Sequence, residues 1–272
     1  MSWKRRVVAP VTAAAKPLAA RARLELNRRG FDLKYHVPFA DSPQYPADFD
    51  VEAPAIAQRV APYTMTSKEA VNALCTAVRY LTEAKVAGDI VECGVWKGGS
   101  SMAAALMLDR LGDRTRTLHL FDTFEGMTEP GARDVSIHDE VAVEVLAQGE
   151  RQRDDLYWCY SPIDEVGKAM MSTGYPTERV RLVKGPVEVT LPAEAPELVA
   201  LARLDTDWYE STRHELEHLV PRLAPGAVLI IDDYGYWRGA RGAVDEFFAN
   251  EPFRYLASRI DGGVRMGVVQ RR

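Results

Sequence analysis

Regular patterning along the chain begins at Thr66. Thr66-Ser67-Lys68-Glu69 has the spacing of a capping box with Thr66 as the cap, and it opens a helix through VNALCTAVRYLTEA. Short apolar runs then alternate with helical stretches. DIVECGV (89–95) precedes a helix from about Ser100 to Leu111, and TLHLFDTF (117–124) follows. VRLVKGPV (180–187), LARLDTD (201–207) and AVLIIDDY (227–234) come later. Runs that are apolar nearly throughout, rather than at alternate positions, predict strands buried on both faces and hence a parallel sheet. Strand–helix alternation makes this a doubly wound α/β domain. The last segment, FRYLASRIDGGVRMGVVQRR, reads as a hairpin around Gly262-Gly263.

Three regions lie outside this pattern. Residues 1–34 carry Lys4, Arg5, Arg6, Lys16, Arg21, Arg23, Arg28, Arg29 and Lys34 against only Glu25 and Asp32. Such a stretch is a solvated arm or a basic helix for an acidic membrane surface or partner. Residues 35–62 are rich in proline and aromatics and read as irregular chain lying on something else. The chain thus divides into a basic arm and lid segment over 1–62 and an α/β domain over 63–272. Within that domain, 128–177 is long for a plain connection and is expected to carry helices and a lid.

Composition narrows the class. The chain has 272 residues, 47% hydrophobic and 27% charged, as a soluble globular protein does. A net charge of -5 argues against a general nucleic-acid binder. Cys75, Cys93 and Cys159 are widely spaced and form no C-x-x-C, which fits a reducing cytoplasm. No apolar run approaches the roughly 20 residues that span a bilayer. The start has a basic head like that of a signal peptide, but Pro10 and Lys16 break its apolar part and no strong cleavage site follows. A cytoplasmic protein is expected.

The chemistry starts at VECGVWKGGSS, the first strand-to-helix turn. Gly94, Gly98 and Gly99 let a ligand approach the backbone, and the helix start at Ser100 offers free N–H groups. The pattern is E-x-G-x-x-x-G rather than the dinucleotide fingerprint. An acid at Glu92 suits a positively charged ligand such as an amino group better than a pyrophosphate. Asp122 ends the next strand, where nucleoside-binding α/β folds place the acid for ribose hydroxyls.

Arg203 to Leu219 contains two candidate metal motifs. His214-Glu215-Leu216-Glu217-His218 spells the H-E-x-x-H of zinc peptidases. Thr212-x-x-Glu215 reads as a capping box, which starts a helix close to His214. Leu216, Leu219, Val220 and Leu223 form its apolar stripe, so His214 and His218 are expected to face solvent, away from any cleft. The alternative is carboxylate. Asp205 and Asp207 end one predicted strand and Asp232 and Asp233 the next, where open α/β sheets bind ligands. Four carboxylates there repel one another unless a cation is present, and an all-oxygen set favours Mg²⁺ or another hard divalent ion.

YTMTS (63–67), DIVECGVWKGGSS (89–101), LHLFDTFEGM (118–127), RLDTDWYEST (203–212) and LAPGAVLIIDDYGYWRGARGAVDEFF (223–248) occur in the order of a known family. The chain resembles the macrocin O-methyltransferase (TylF-type) family of S-adenosylmethionine-dependent enzymes, which act on sugar hydroxyls in natural-product biosynthesis. The resemblance implies a Rossmann-like class I methyltransferase sheet, mostly parallel with a C-terminal antiparallel hairpin, and an N-terminal lid. It implies that Glu92, Gly94 and Ser100 hold the methionine part of S-adenosylmethionine, that Asp122 holds the ribose, and that Met65 closes over the site. Asp205, Asp232 and Asp233 correspond to the family's metal-binding aspartates, and Asp207 to the general base, with Asp205 near enough to exchange that role. HELEH falls where the family has an ordinary helix. A homodimer is also implied.

The acceptor is expected to be a small-molecule hydroxyl on a sugar or glycoside. Tyr35, His36 and Tyr45, with His138, Tyr157, Trp158 and Tyr160 from the 128–177 region, are the candidate acceptor residues. A catechol or phenol O-methyltransferase, a zinc peptidase and a non-catalytic nucleoside-binding module are the competing readings. The zinc peptidase predicts bound zinc and no cofactor affinity. The binding module has no need of the aspartate cluster.

Overall fold

The computed structural model describes residues 45–151 and 155–271. The basic run 1–34, Tyr35 and His36 lie outside them. Five parallel strands are β1 (Asp89–Cys93), β2 (Leu118–Asp122), β3 (Val180–Lys184), β4 (Val199–Leu204) and β5 (Leu223–Ile231). β6 (Phe253–Arg259) and β7 (Arg265–Arg271) form the expected hairpin. The sheet order is β3-β2-β1-β4-β5-β7-β6, with β7 antiparallel to β5. Chain order reverses at β1, which pairs with both β2 and β4, so a crevice opens at the carboxyl ends of β1 and β4.

Helices cover both faces. One layer holds α1 (Ala53–Val60), α2 (Lys68–Glu83), α3 (Gly99–Arg110) and, past the short α4 (Ala142–Leu146), α5 (Ile163–Met171). The other holds α6 (Val187–Glu194), α7 (Tyr209–Leu219) and α8 (Arg238–Asn250). Between sheet and second layer lie Val91, Cys93, Phe121, Leu204, Leu216, Leu219, Leu229, Ile231 and Phe247. All six residues of β4 are buried, five of them apolar and the sixth Arg203. Among the described residues no helix is long and apolar enough to cross a membrane.

Several local expectations are corrected. The cap of α2 is Ser67, whose Oγ accepts from the Ala70 amide, not Thr66. The register slips by one because Thr66 is engaged elsewhere, as described below. Residues 53–60 are helical rather than irregular: Pro54 suits a first helical turn, and Ala53, Ile56, Ala57 and Val60 form a buried stripe. β3 stops at Lys184, because Gly185-Pro186 turns the chain and Val187 begins α6. α7 starts at Tyr209, so Thr212 and Glu215 lie inside a helix and cap nothing. The 128–177 region carries α4 and α5.

Candidate active site

The turn after β1 is shaped by a close crossing. Gly94 has φ +81°, and a Cβ there would lie 1.9 Å from the Asp205 carbonyl oxygen. Only glycine lets the ends of β1 and β4 approach this closely. Two large residues nearby, Trp96 (φ +47°) and Phe124 (φ +53°), are held in the left-handed region, a strained backbone that persists only when its surroundings over-determine it. Asp122 supplies that constraint. Its Oδ2 accepts from the Val95 and Trp96 amides at 2.7 and 3.0 Å, and its Oδ1 from the Phe124 amide at 2.6 Å. Burial pushes its carboxyl above the ordinary aspartate range, against these three donors.

This turn forms one wall of a cavity of about 680 Å³. Met65, Glu92, Gly94, Ser100 and Asp122 line it, and so do Asp205, Asp207, Asp232 and Asp233. The Asp205, Asp232 and Asp233 carboxylates each bring an oxygen within 4.8 Å of the others. Arg203 reaches them from inside β4, its side chain only 4% exposed. Its Nη1 donates to Glu92 Oε1 (2.8 Å) and Asp205 Oδ2 (2.6 Å). Its Nη2 donates to Thr66 Oγ1 (3.1 Å) and Asp232 Oδ1. Glu92 also accepts from the Ser101 hydroxyl.

Asp207 sits beyond this cluster with φ +66°, a conformation aspartate tolerates. Its amide donates to Asp233 Oδ2 (3.2 Å), and its Oδ1 accepts from Trp237 Nε1 (2.7 Å). Burial and then the Asp205 charge push its carboxyl up to about 8, while the indole N–H pulls the other way. Asp205 and Asp233 are raised well above the ordinary range, chiefly by burial. Glu92, Asp122, Glu188, Asp205, Asp207, Asp232 and Asp233 face a single cation, Arg203, among the described lining residues. That imbalance fits a hard divalent ion on the oxygens of Asp205, Asp232 and Asp233 and a positively charged ligand beside the Gly94 turn.

Residues 35–271 match the family model described as macrocin-O-methyltransferase (TylF). The chain belongs to this family. It is therefore an O-methyltransferase. It is 34% identical to an 8-demethyl-8-(2,3-dimethoxy-α-L-rhamnosyl)-tetracenomycin-C 4′-O-methyltransferase of Streptomyces olivaceus, across 74% of this chain and 73% of that protein. It is 31% identical to a demethyldecarbamoylnovobiocin O-methyltransferase of Streptomyces niveus, across 60% and 59% of the two chains. Among solved structures, the O-methyltransferase NovP matches with a TM-score of 0.65 and 28% identity, over 75% of this chain and 81% of that one. The calicheamicin methyltransferase CalS11 shares the fold, with a TM-score of 0.56 at 20% identity over 98% and 97%.

HELEH lies in this TylF-type chain as an ordinary helix segment. His214 and His218 are half-buried rather than facing solvent, because their rings lie 4.1 Å apart, one over the other, and His218 Nδ1 bonds to the His214 carbonyl. Neither lines the cavity. Glu215 between them is fully buried and its Oε1 accepts from Thr206 Oγ1 at 2.9 Å, tying α7 to the Asp205–Asp207 loop.

Of the candidate acceptor residues that the structure describes, Tyr157 lines the cavity and Tyr45, His138, Trp158 and Tyr160 do not. Tyr45 lies against Phe49 and Lys68, and His138 meets Tyr236 edge-on. Trp158 donates its indole N–H to the Leu146 carbonyl. The aromatic wall comes instead from Trp208, Tyr236 and Trp237, joined by Ile137 and Leu156. The sequence signal for Arg203 was a charge inside a strand otherwise free of polar residues, VALARL. Trp237 carried a weaker signal, as one aromatic in DDYGYW after the Asp232-Asp233 pair.

Proposed function

We propose that this protein transfers the methyl group of S-adenosylmethionine to a hydroxyl of a sugar or glycosylated natural product, with Mg²⁺ or another hard divalent ion on Asp205, Asp232 and Asp233. The observation that carries this reading is the meeting, in one cavity, of the Gly94 turn and Asp122 with four strand-end aspartates. The names of its relatives support the acceptor class: one methylates a rhamnosyl group, and another, from Micromonospora griseorubida, is a mycinamicin III 3″-O-methyltransferase. The excess of carboxylates supports an uncharged acceptor, since an anionic one would be repelled.

When bound, S-adenosylmethionine supplies an electrophilic methyl on a cationic sulfur, and the divalent ion acidifies and orients the acceptor hydroxyl. Glu92, Gly94 and Ser100 receive the methionine part, Asp122 the ribose, and Met65, 55% exposed, covers them. Asp207 takes the hydroxyl proton on Oδ2, because its Oδ1 is committed to Trp237. Burial and the Asp205 charge raise the Asp207 carboxyl, which makes it a stronger base than an ordinary aspartate. Alignment of the two reactants contributes much of the remaining rate.

The test is methyl transfer from S-adenosylmethionine to a panel of rhamnosides, other glycosides and catechols, in Mg²⁺ and in EDTA. Turnover of glycosides only with the metal is expected. Preference for catechols would overturn the acceptor class, and full turnover after metal stripping would remove the ion.

A further inference from the structure

Arg203 joins the two halves of the cavity. Its four Nη hydrogens go to four acceptors from four separate segments: Glu92 on β1, Asp205 after β4, Asp232 after β5, and Thr66 ahead of α2. Asp205 and Asp232 belong to the carboxylate cluster. Glu92, near the end of β1 beside the Gly94 turn, and Thr66, next to Met65, also line the cavity. The Thr66 segment is closely fitted there, since a Cβ on Gly99 at the start of α3 would lie 2.6 Å from the Tyr63 carbonyl oxygen. The next residue, Ser67, caps α2 and donates to Asp261 in the β6–β7 turn.

We propose that Arg203 is a positioning residue that couples divalent-cation binding to cofactor binding, with positive sign. The inference rests on the functional reading above. A guanidinium cannot give up its proton, and one this deeply buried must keep its acceptors. An ion that draws Asp205 and Asp232 to itself takes bonding from Arg203 and adds repulsion on that side. Arg203 then holds Glu92 and Thr66 more firmly in the places they already occupy, which keeps the Tyr63–Thr66 segment fixed against the cofactor half. Linkage makes the effect reciprocal: the ion tightens the cofactor by the same factor as the cofactor tightens the ion.

Calorimetry with S-adenosylhomocysteine tests this, because that ligand lacks the sulfonium charge and so removes direct repulsion between ion and cofactor. Wild type is titrated with S-adenosylhomocysteine with and without Mg²⁺, and with Mg²⁺ with and without S-adenosylhomocysteine. Mg²⁺ is expected to tighten S-adenosylhomocysteine about fivefold or more, the lower end of ordinary allosteric coupling, with the same factor in the reverse titration. Thr66→Val cuts one of the four links and leaves the buried charges in place. It is expected to bind Mg²⁺ alone as wild type does, with the coupling factor falling toward one. Arg203→Lys keeps the charge but cannot span four acceptors, and loses the coupling as well. If Arg203→Lys fails to fold, Thr66→Val still decides. Independent binding of the two ligands to wild type, or full coupling in Thr66→Val, overturns the proposal. Failure of wild type to bind either ligand overturns the functional reading itself, and the proposal with it.

Discussion

Trp237 Nε1 donates to Asp207 Oδ1 at 2.7 Å, so the indole ring fixes which oxygen of the proposed base remains for the acceptor proton. Trp237 is itself held edge-on between Trp208 and Tyr236, with ring centroids 5.1 Å away on each side. A hydrogen bond to a carboxylate favours its charged form. Trp237→Phe keeps an aromatic ring but removes the donor, so the Asp207 carboxyl should rise further. The ascending limb of the kcat–pH profile is expected to move to higher pH, with the affinity for S-adenosylhomocysteine unchanged. A limb at the wild-type position would separate Trp237 from the base.

Asp207 itself sets the sign of that limb. Its carboxyl is pushed up to about 8, and a base works only when unprotonated, so activity should rise with pH through its pKa. The divalent ion proposed on the neighbouring carboxylates would draw the limb below that value. Asp207→Asn should lower kcat by about 10²–10⁴-fold, the usual share of general base catalysis, and leave cofactor affinity intact. An unaffected kcat would transfer the base role to Asp205.

The scaffold was largely legible in the residues because its central strands are mostly apolar runs, and the carboxylates mark where those of β4 and β5 end. Asp205, Asp207, Asp232 and Asp233 could be placed at neighbouring strand ends from spacing alone. Arg203 could not be assigned partners, since Glu92 lies 111 residues away in sequence and Thr66 137. That same bond explains the misplaced helix cap: Thr66 and Ser67 are both good caps, and the tertiary partner of Thr66 leaves the role to Ser67. The aromatic lining of the cavity was harder still. The 128–177 region has no strong periodicity, and nothing local distinguishes Tyr157, which reaches the cavity, from Trp158, which turns to Leu146.

Gly94 carries a prediction about stability. Gly94→Ala would place a Cβ 1.9 Å from the Asp205 carbonyl oxygen at φ +81°. The left-handed backbone alone costs about 1–2 kcal/mol for a non-glycine residue, and the clash with backbone adds to it. Thermal unfolding should show a Tm lower by several degrees, with loss of S-adenosylhomocysteine binding. A Tm equal to wild type would mean that β1 and β4 do not approach this closely.

Glu215 gives a pH-dependent stability with a definite sign. It is fully buried, its Oε2 has no hydrogen-bond partner, and burial raises its carboxyl well above the ordinary glutamate value. Between the unfolded and folded pKa values the native state therefore holds more protons than the unfolded chain. Stability falls as pH rises through that window, because the native state must ionise a buried group or keep it protonated against solvent. Glu215→Gln keeps an oxygen for the Thr206 hydroxyl and removes the titration. Its stability relative to wild type should improve between pH 5 and pH 8, as read by urea midpoints at the two values. A difference that does not change with pH would show that Glu215 has an ordinary pKa in the folded protein.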